Sequence, residues 1–126
     1  MELQTFNLND IRKLHPCYDP AKYAPENWSG TALDFLKLTA FPPADRMWVC
    51  LQFIPSNIMQ QYATGVIGSS SSDFKAAYTK IEGMAESSAQ EASKGMNNSK
   101  AKNEAILNAK NEVWNKQVDS LFTLIS

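Results

Sequence analysis

Charge of one sign is missing from this 126-residue chain: 12 Lys and Arg stand against 13 Asp and Glu, for a formal charge of -1. Wrapping nucleic acid or holding to anionic lipid needs a dense positive field, so neither partner is expected. Apolar runs approaching the ~20 residues of a membrane span are absent. The opening Met1-Glu2-Leu3-Gln4-Thr5 has neither the basic start nor the apolar stretch of a secretory leader. Cysteine is scarce: Cys17 and Cys50 are too few and too far apart for a disulfide framework or a zinc ribbon, and reduced thiols in a cytoplasm are expected. Glycine is scarce as well. Gly65 and Gly68 are isolated, with no Lys-Ser/Thr behind them, which excludes a phosphate-cradling loop. No serine occupies a strand-turn-helix elbow, which removes a Ser-His-Asp hydrolase.

What is present divides the chain into two textures within one domain. All six prolines lie at or before Pro55, together with both cysteines, the single His15 and two of the three tryptophans. Prolines break helices, so short helices with ordered turns are expected first and long uninterrupted helices afterwards. Asn9 or Asn7 can cap a short helix over 10–14, which Pro16 ends because the residue before a proline avoids the α region. Ser29 is the expected cap of a helix over 30–38, broken by Pro42-Pro43. Met47-Trp48-Val49-Cys50-Leu51 is apolar all round and reads as a buried strand or a buried helix. A proline at its first turn, Asp45 at its positive end and the lack of a pairing strand favour helix.

Pro55-Ser56-Asn57 starts a further helix to Gly68, with Ile58, Met59, Tyr62, Ala63, Val66 and Ile67 as its buried stripe. Ser70 and Asp73 offer a capping box for a helix over 73–94. There Phe74, Ala77, Tyr78, Ile81, Ala85, Ser88 and Ala92 follow helical spacing. After Gly95 a last helix over 100–125 aligns Leu107, Trp114, Val118, Leu121 and Ile125. The short connection makes these two an antiparallel hairpin. Their seven Lys and seven Asp/Glu describe a solvated outer face. The expected fold is all-α: short N-terminal helices with ordered proline turns, packed on a long C-terminal helical hairpin.

The densest chemistry lies in His15-Pro16-Cys17-Tyr18-Asp19-Pro20. His15, Cys17 and Asp19, with Cys50 as the only other thiol, are the side chains a metal would use, although zinc sites draw four ligands from at least two segments. His15 with either cysteine is a nucleophile pair lacking a legible orienting group or oxyanion hole. Against both stands a rigid turn whose Asp19 accepts backbone N–H groups. Asp45 and Arg46 beside Trp48, and Glu26 near Trp28, read either as a polar constellation around an aromatic pocket or as helix-start charges with packing tryptophans. Trp114, Tyr78 and Met84 are either exposed anchors for a partner or core.

The order His-Pro-Cys-Tyr-Asp-Pro, then Glu26, Trp28, Gly30-Thr31, Asp34 and Leu36, then Pro42, Asp45-Arg46 and Trp48-Val49-x-Leu51, resembles a family of small proteins encoded in phages, prophages and bacterial genomes. Some of its members are described as immunity proteins. Beyond Leu51 the likeness fades: the family's Leu-Phe-Ala-x-Trp-Cys-Ala-Arg helix is replaced here by Gln61-Tyr62-Ala63-Thr64-Gly65-Val66-Ile67-Gly68. The resemblance implies a helical fold, a mobile-element or anti-competitor setting, and action by binding another protein.

The expected function is therefore non-enzymatic and protein-binding, immunity-like or counter-defence-like, working by stoichiometric masking without a cofactor. His15, Cys17, Tyr18, Asp19, Trp28, Asp45, Arg46 and Trp114 are the candidate contact residues. A small metal- or thiol-dependent enzyme, and a phage assembly component that packs against copies of itself, are the alternatives.

Overall fold

The computed structural model describes residues 3–69 and 71–126. Helix α1, Leu8–Arg12, is capped by Asn7: its side chain accepts the Asp10 N–H at 3.0 Å, and the Asp10 carboxylate accepts the Asn7 N–H at 2.9 Å. This reciprocal box satisfies two orphan donors and buries Leu8 and Ile11 beneath the helix. A 3-10 turn, Pro20–Lys22, follows with Asp19 as its cap. Two short strands then pair antiparallel, β1 (Phe6–Asn7) with β2 (Ser29–Gly30), setting Phe6 opposite Gly30. Gly30 is required by close approach, since a Cβ there would meet the Asp34 carboxylate at 2.9 Å and the Trp28 ring at 3.0 Å.

Helix α2, Ala32–Leu36, is capped by Thr31 and not by the expected Ser29. Asp34 stands three residues after Thr31 and completes a capping box, whereas Ser29 has Ala32 at that position and is drawn into β2 instead. Phe6, Trp28, Phe35 and Phe41 form a chain of edge and tilted ring contacts, and Phe53 stacks on Phe6 at 4.1 Å with the planes 6° apart. Aromatic side chains thus fasten α2 to the next helix.

That helix, α3 (Pro43–Phe53), buries Met47, Val49, Cys50 and Leu51, so the all-round apolar stretch is a core helix. Helix α4, Ser56–Gln60, runs into a π-helical turn, Gln61–Val66. The expected stripe holds at Ile58, Met59, Tyr62, Ala63 and Ile67, but Val66 is 45% exposed. The widened turn advances the chain less per residue than an α-helix and rotates Val66 out of phase. Gly68, at φ 65°, ends the segment. The proposed Ser70 half of a capping box lies outside the described residues.

Helices α5 (Phe74–Ser93) and α6 (Ser99–Ile125) form the hairpin. Their direction is fixed by two contacts: Glu86 pairs with Lys110, and eight residues earlier Tyr78 meets Trp114, four residues later. Ala77, Ile81, Ala85, Ala89 and Ser93 make a seam at every fourth residue of α5, so the burial runs through Ala89 and Ser93 rather than the expected Ser88 and Ala92. Trp114, Val118, Leu121 and Ile125 are buried as aligned, whereas Leu107 is 59% exposed. α2 and α3 pack on α6, and along residues 99–108 of that helix every side chain stays at least partly exposed. Among the described residues no helix is long and apolar enough to cross a membrane.

Candidate functional site

Four of the eight candidate residues meet at one place. The turn after α1 supplies His15, Cys17 and Tyr18, and α3 supplies Asp45; together with Pro16, Trp48 and Tyr78 they line a pocket of about 240 Å³. Its position follows from local rules. The α1 helix cannot continue through Pro16, and His15 takes a left-handed φ of 57° while its N–H still donates to the Arg12 carbonyl at 3.1 Å. That conformation costs an L-residue about 1–2 kcal/mol and reverses the chain, so the Cys17-Tyr18 segment comes back over α3. On α3, Asp45 and Trp48 are three residues apart and share one face.

Tyr18 packs edge-on against Tyr23 at 5.7 Å and Phe41 at 6.1 Å. Its hydroxyl is buried and, among the described residues, has no hydrogen-bond partner. Burial first, and the Asp45 charge second, raise its pKa above the ordinary phenol value. Asp45 is half-buried, and desolvation raises its carboxyl pKa above the usual range. No ion pair engages Asp45 among the described residues. The Tyr78 phenol is pushed up to about 12 by burial, then by Glu82 and Asp45. Two phenols therefore share a pocket with one carboxylate that stands in the first turn of α3 and has no side-chain ion pair among the described residues.

Further depressions border the pocket and line up with it as a groove-like surface sharing Trp48 or Tyr78. Trp48 and Tyr78 also wall an adjoining depression with Leu14, Gln52, Phe74 and Lys75. On its other side Tyr78 borders a third, with Glu82, Glu86 and Trp114. Tyr78 is thus the residue common to a surface running along α5 past the end of α3.

The remaining candidates hold the frame. Asp19 accepts the Ala21 N–H at 3.1 Å and receives Nη2 of Arg12 at 3.0 Å; both bonds lower its pKa, the backbone one most. Arg12 also donates to Glu26 at 2.7 Å and Asn9 at 2.8 Å, so α1, the 3-10 turn and the segment before β2 share one guanidinium. Trp28 belongs to the Phe6–Phe35 cluster. Arg46 turns away from the pocket and donates to the carbonyls of Leu36, at 2.8 Å, and Phe41, at 3.1 Å, pinning the loop between α2 and α3. Trp114 is buried against Tyr78, the ring centres 4.8 Å apart, and is core rather than an exposed anchor.

Cys50 lies in the core with its thiol 3.5 Å from the Ala32 carbonyl, and burial pushes its pKa up. Cys17 is exposed. Among the described residues no three His, Cys, Asp or Glu side chains gather where a metal could be held. His15, Cys17, Asp19 and Cys50 therefore do not form the ligand set that their sequence order allows.

The sequence reading missed the groove beyond the pocket, with Leu14, Phe74 and Lys75, and did not join Tyr78 to the turn. Tyr78 carried a signal, its place on the α5 stripe, but which rings it would face depended on the pairing of α5 with the first half. Comparison with protein-family models, with curated proteins and with solved structures finds no match to this chain.

Proposed function

We propose that the protein acts by binding another protein and masking a functional surface on it, with the groove along Trp48 and Tyr78 as the docking face. The observation that carries this reading is that half-buried Trp48 of α3 and Tyr78 of α5 wall two neighbouring depressions, one of them also lined by the turn held in a left-handed conformation at His15. Half-buried aromatic rings supply large contact area at low entropic cost, which is why such residues dominate binding hot spots. Strain at a turn facing such a surface is typical of binding sites. The motifs of residues 15–51, which resemble small phage and bacterial proteins of which some are described as immunity proteins, suit this mode of action, and the proposed setting is a bacterial or phage-infected cytoplasm.

A thiol-centred reaction is the second reading, favoured by His15 and Cys17 lining one pocket. It lacks Asp19, whose carboxylate is engaged by Arg12 and Ala21. The test is affinity capture from the source cell with wild type, Trp48→Ala and Tyr78→Ala, followed by reconstitution of the captured protein with purified material. Masking requires a 1:1 complex by light scattering that both substitutions weaken at least tenfold, about 1.4 kcal/mol each. A complex indifferent to both, or substrate turnover lost with Cys17→Ser, overturns it.

A further inference from the structure

We propose that the pocket at the end of this groove receives the guanidinium of an arginine side chain presented by the partner, with Asp45 as counter-ion and Trp48 and Tyr78 as walls. The proposal rests on the groove being the docking face and names the chemistry it reads.

Charge is the first argument. Asp45 is the single carboxylate lining the pocket, and no Lys or Arg lines it. Arg46, next to Asp45 on α3, is committed to the Leu36 and Phe41 carbonyls, and Lys110 to Glu86, while Lys75 lines the adjoining depression and not the pocket. A half-buried carboxylate without a partner is costly, and an incoming cation offsets that cost.

Hydrogen bonding is the second. The Tyr18 hydroxyl is buried without a partner among the described residues, and a buried polar group left unpaired in a native fold calls for an explanation. Asp45, Tyr18 and Tyr78 line the same pocket, so a carboxylate and two phenols share its wall. A guanidinium has five donors in a planar fork and can serve more than one acceptor at once, whereas an ammonium is a strongly hydrated point charge.

Shape and size are the third. Trp and Tyr faces attract cations, and arginine, planar and weakly hydrated, stacks on them best. The volume, about 240 Å³, suits one long side chain and falls below the ~300–1,000 Å³ of small-molecule sites.

The test needs no partner. Isotope-labelled protein is titrated with Nα-acetyl-arginine methylamide, and with its lysine and citrulline counterparts, while the Trp48 indole N–H signal is followed by NMR. Saturable shifts with the arginine compound, at least about tenfold weaker with neutral citrulline and weaker with lysine, are expected. Asp45→Asn should remove the preference of arginine over citrulline while the spectrum keeps its native dispersion. Equal response to citrulline would make the pocket merely apolar, an equal or stronger response to lysine would overturn the guanidinium assignment, and no saturation with any probe would remove the site. If Asp45→Asn fails to fold, the citrulline comparison still decides. None of these outcomes bears on whether the groove variants lose the reconstituted complex, so the two readings fail separately.

Discussion

Tyr62 donates its phenolic hydrogen to the side-chain oxygen of Gln117 over 2.6 Å, a buried bond that spans 55 positions of sequence and ties the π-helical turn to α6. Both residues are buried, and Tyr62 is wholly inside. Burial raises the Tyr62 pKa, so the hydroxyl keeps its proton and stays a donor. Tyr62→Phe leaves the Gln117 oxygen buried without its donor and should cost about 1–3 kcal/mol. Pairing it with Gln117→Leu removes both polar groups. Chemical denaturation of the two single variants and the double should then show a non-additive cycle, with the double less destabilised than the sum.

Leu51 and Trp48 separate stability from binding on one helix. Leu51 is buried in the core and Trp48 is half-buried at the groove. Leu51→Ala should cost about 2–5 kcal/mol, as other large-to-small core changes do. Trp48→Ala should cost less in denaturation and more in partner affinity, because part of its ring faces the groove. A loss below about 1 kcal/mol for Leu51→Ala would mean that the inner face of α3 is not packed as described.

The legible part of this fold is the part governed by short-range rules. Prolines at 16, 42, 43 and 55 fix where helices break, and apolar spacing fixes the hairpin and the inner faces of Ile81, Val118, Leu121 and Ile125. What escaped depends on contacts between distant segments. Ser29 looked like a cap until Asn7 paired with it, and Val66 looked buried until the π turn shifted its phase. Leu107 satisfied the helical period in a stretch, residues 99–108, where no side chain is fully buried. The site was legible in the same proportion. The turn residues and Asp45 stood out by their chemistry, but Tyr78 joined them only through the docking of α5, which no local pattern in the chain encodes.

The two thiols should react very differently. Cys17 is exposed at the turn, and Cys50 is enclosed in the core with its pKa pushed up by burial. Only the thiolate is a nucleophile, so a buried thiol with a raised pKa is doubly protected. A thiol reagent should therefore label one cysteine per native chain and two in denaturant, and Cys17→Ser should abolish the native reaction. Two fast-reacting thiols in the native protein would place the α2–α3 packing around Cys50 in error.

Asp45 should trade stability for function, and the sign can be worked out from its environment. Burial raises its folded pKa above the unfolded value, so below the unfolded pKa both states are protonated and the residue contributes no difference. As pH rises through the interval between the two values, the unfolded chain ionises first and the fold loses stability. That loss is complete above the folded pKa. Asp45→Asn removes the charge without changing the shape, so it should raise the melting temperature at neutral pH, and the gain should vanish in acid below the carboxylate range. His15, Cys17 and Tyr18 from the turn, and Tyr78 from α5, line the same pocket as this carboxylate, so the scan is repeated with His15→Gln. A stabilising loss of a charged side chain marks a residue retained for what it binds, because function commonly holds a site short of its stability optimum. An unchanged or lower melting temperature for Asp45→Asn would mean that the carboxylate already has its counter-ion within the fold, and the case for an incoming cation would fall with it.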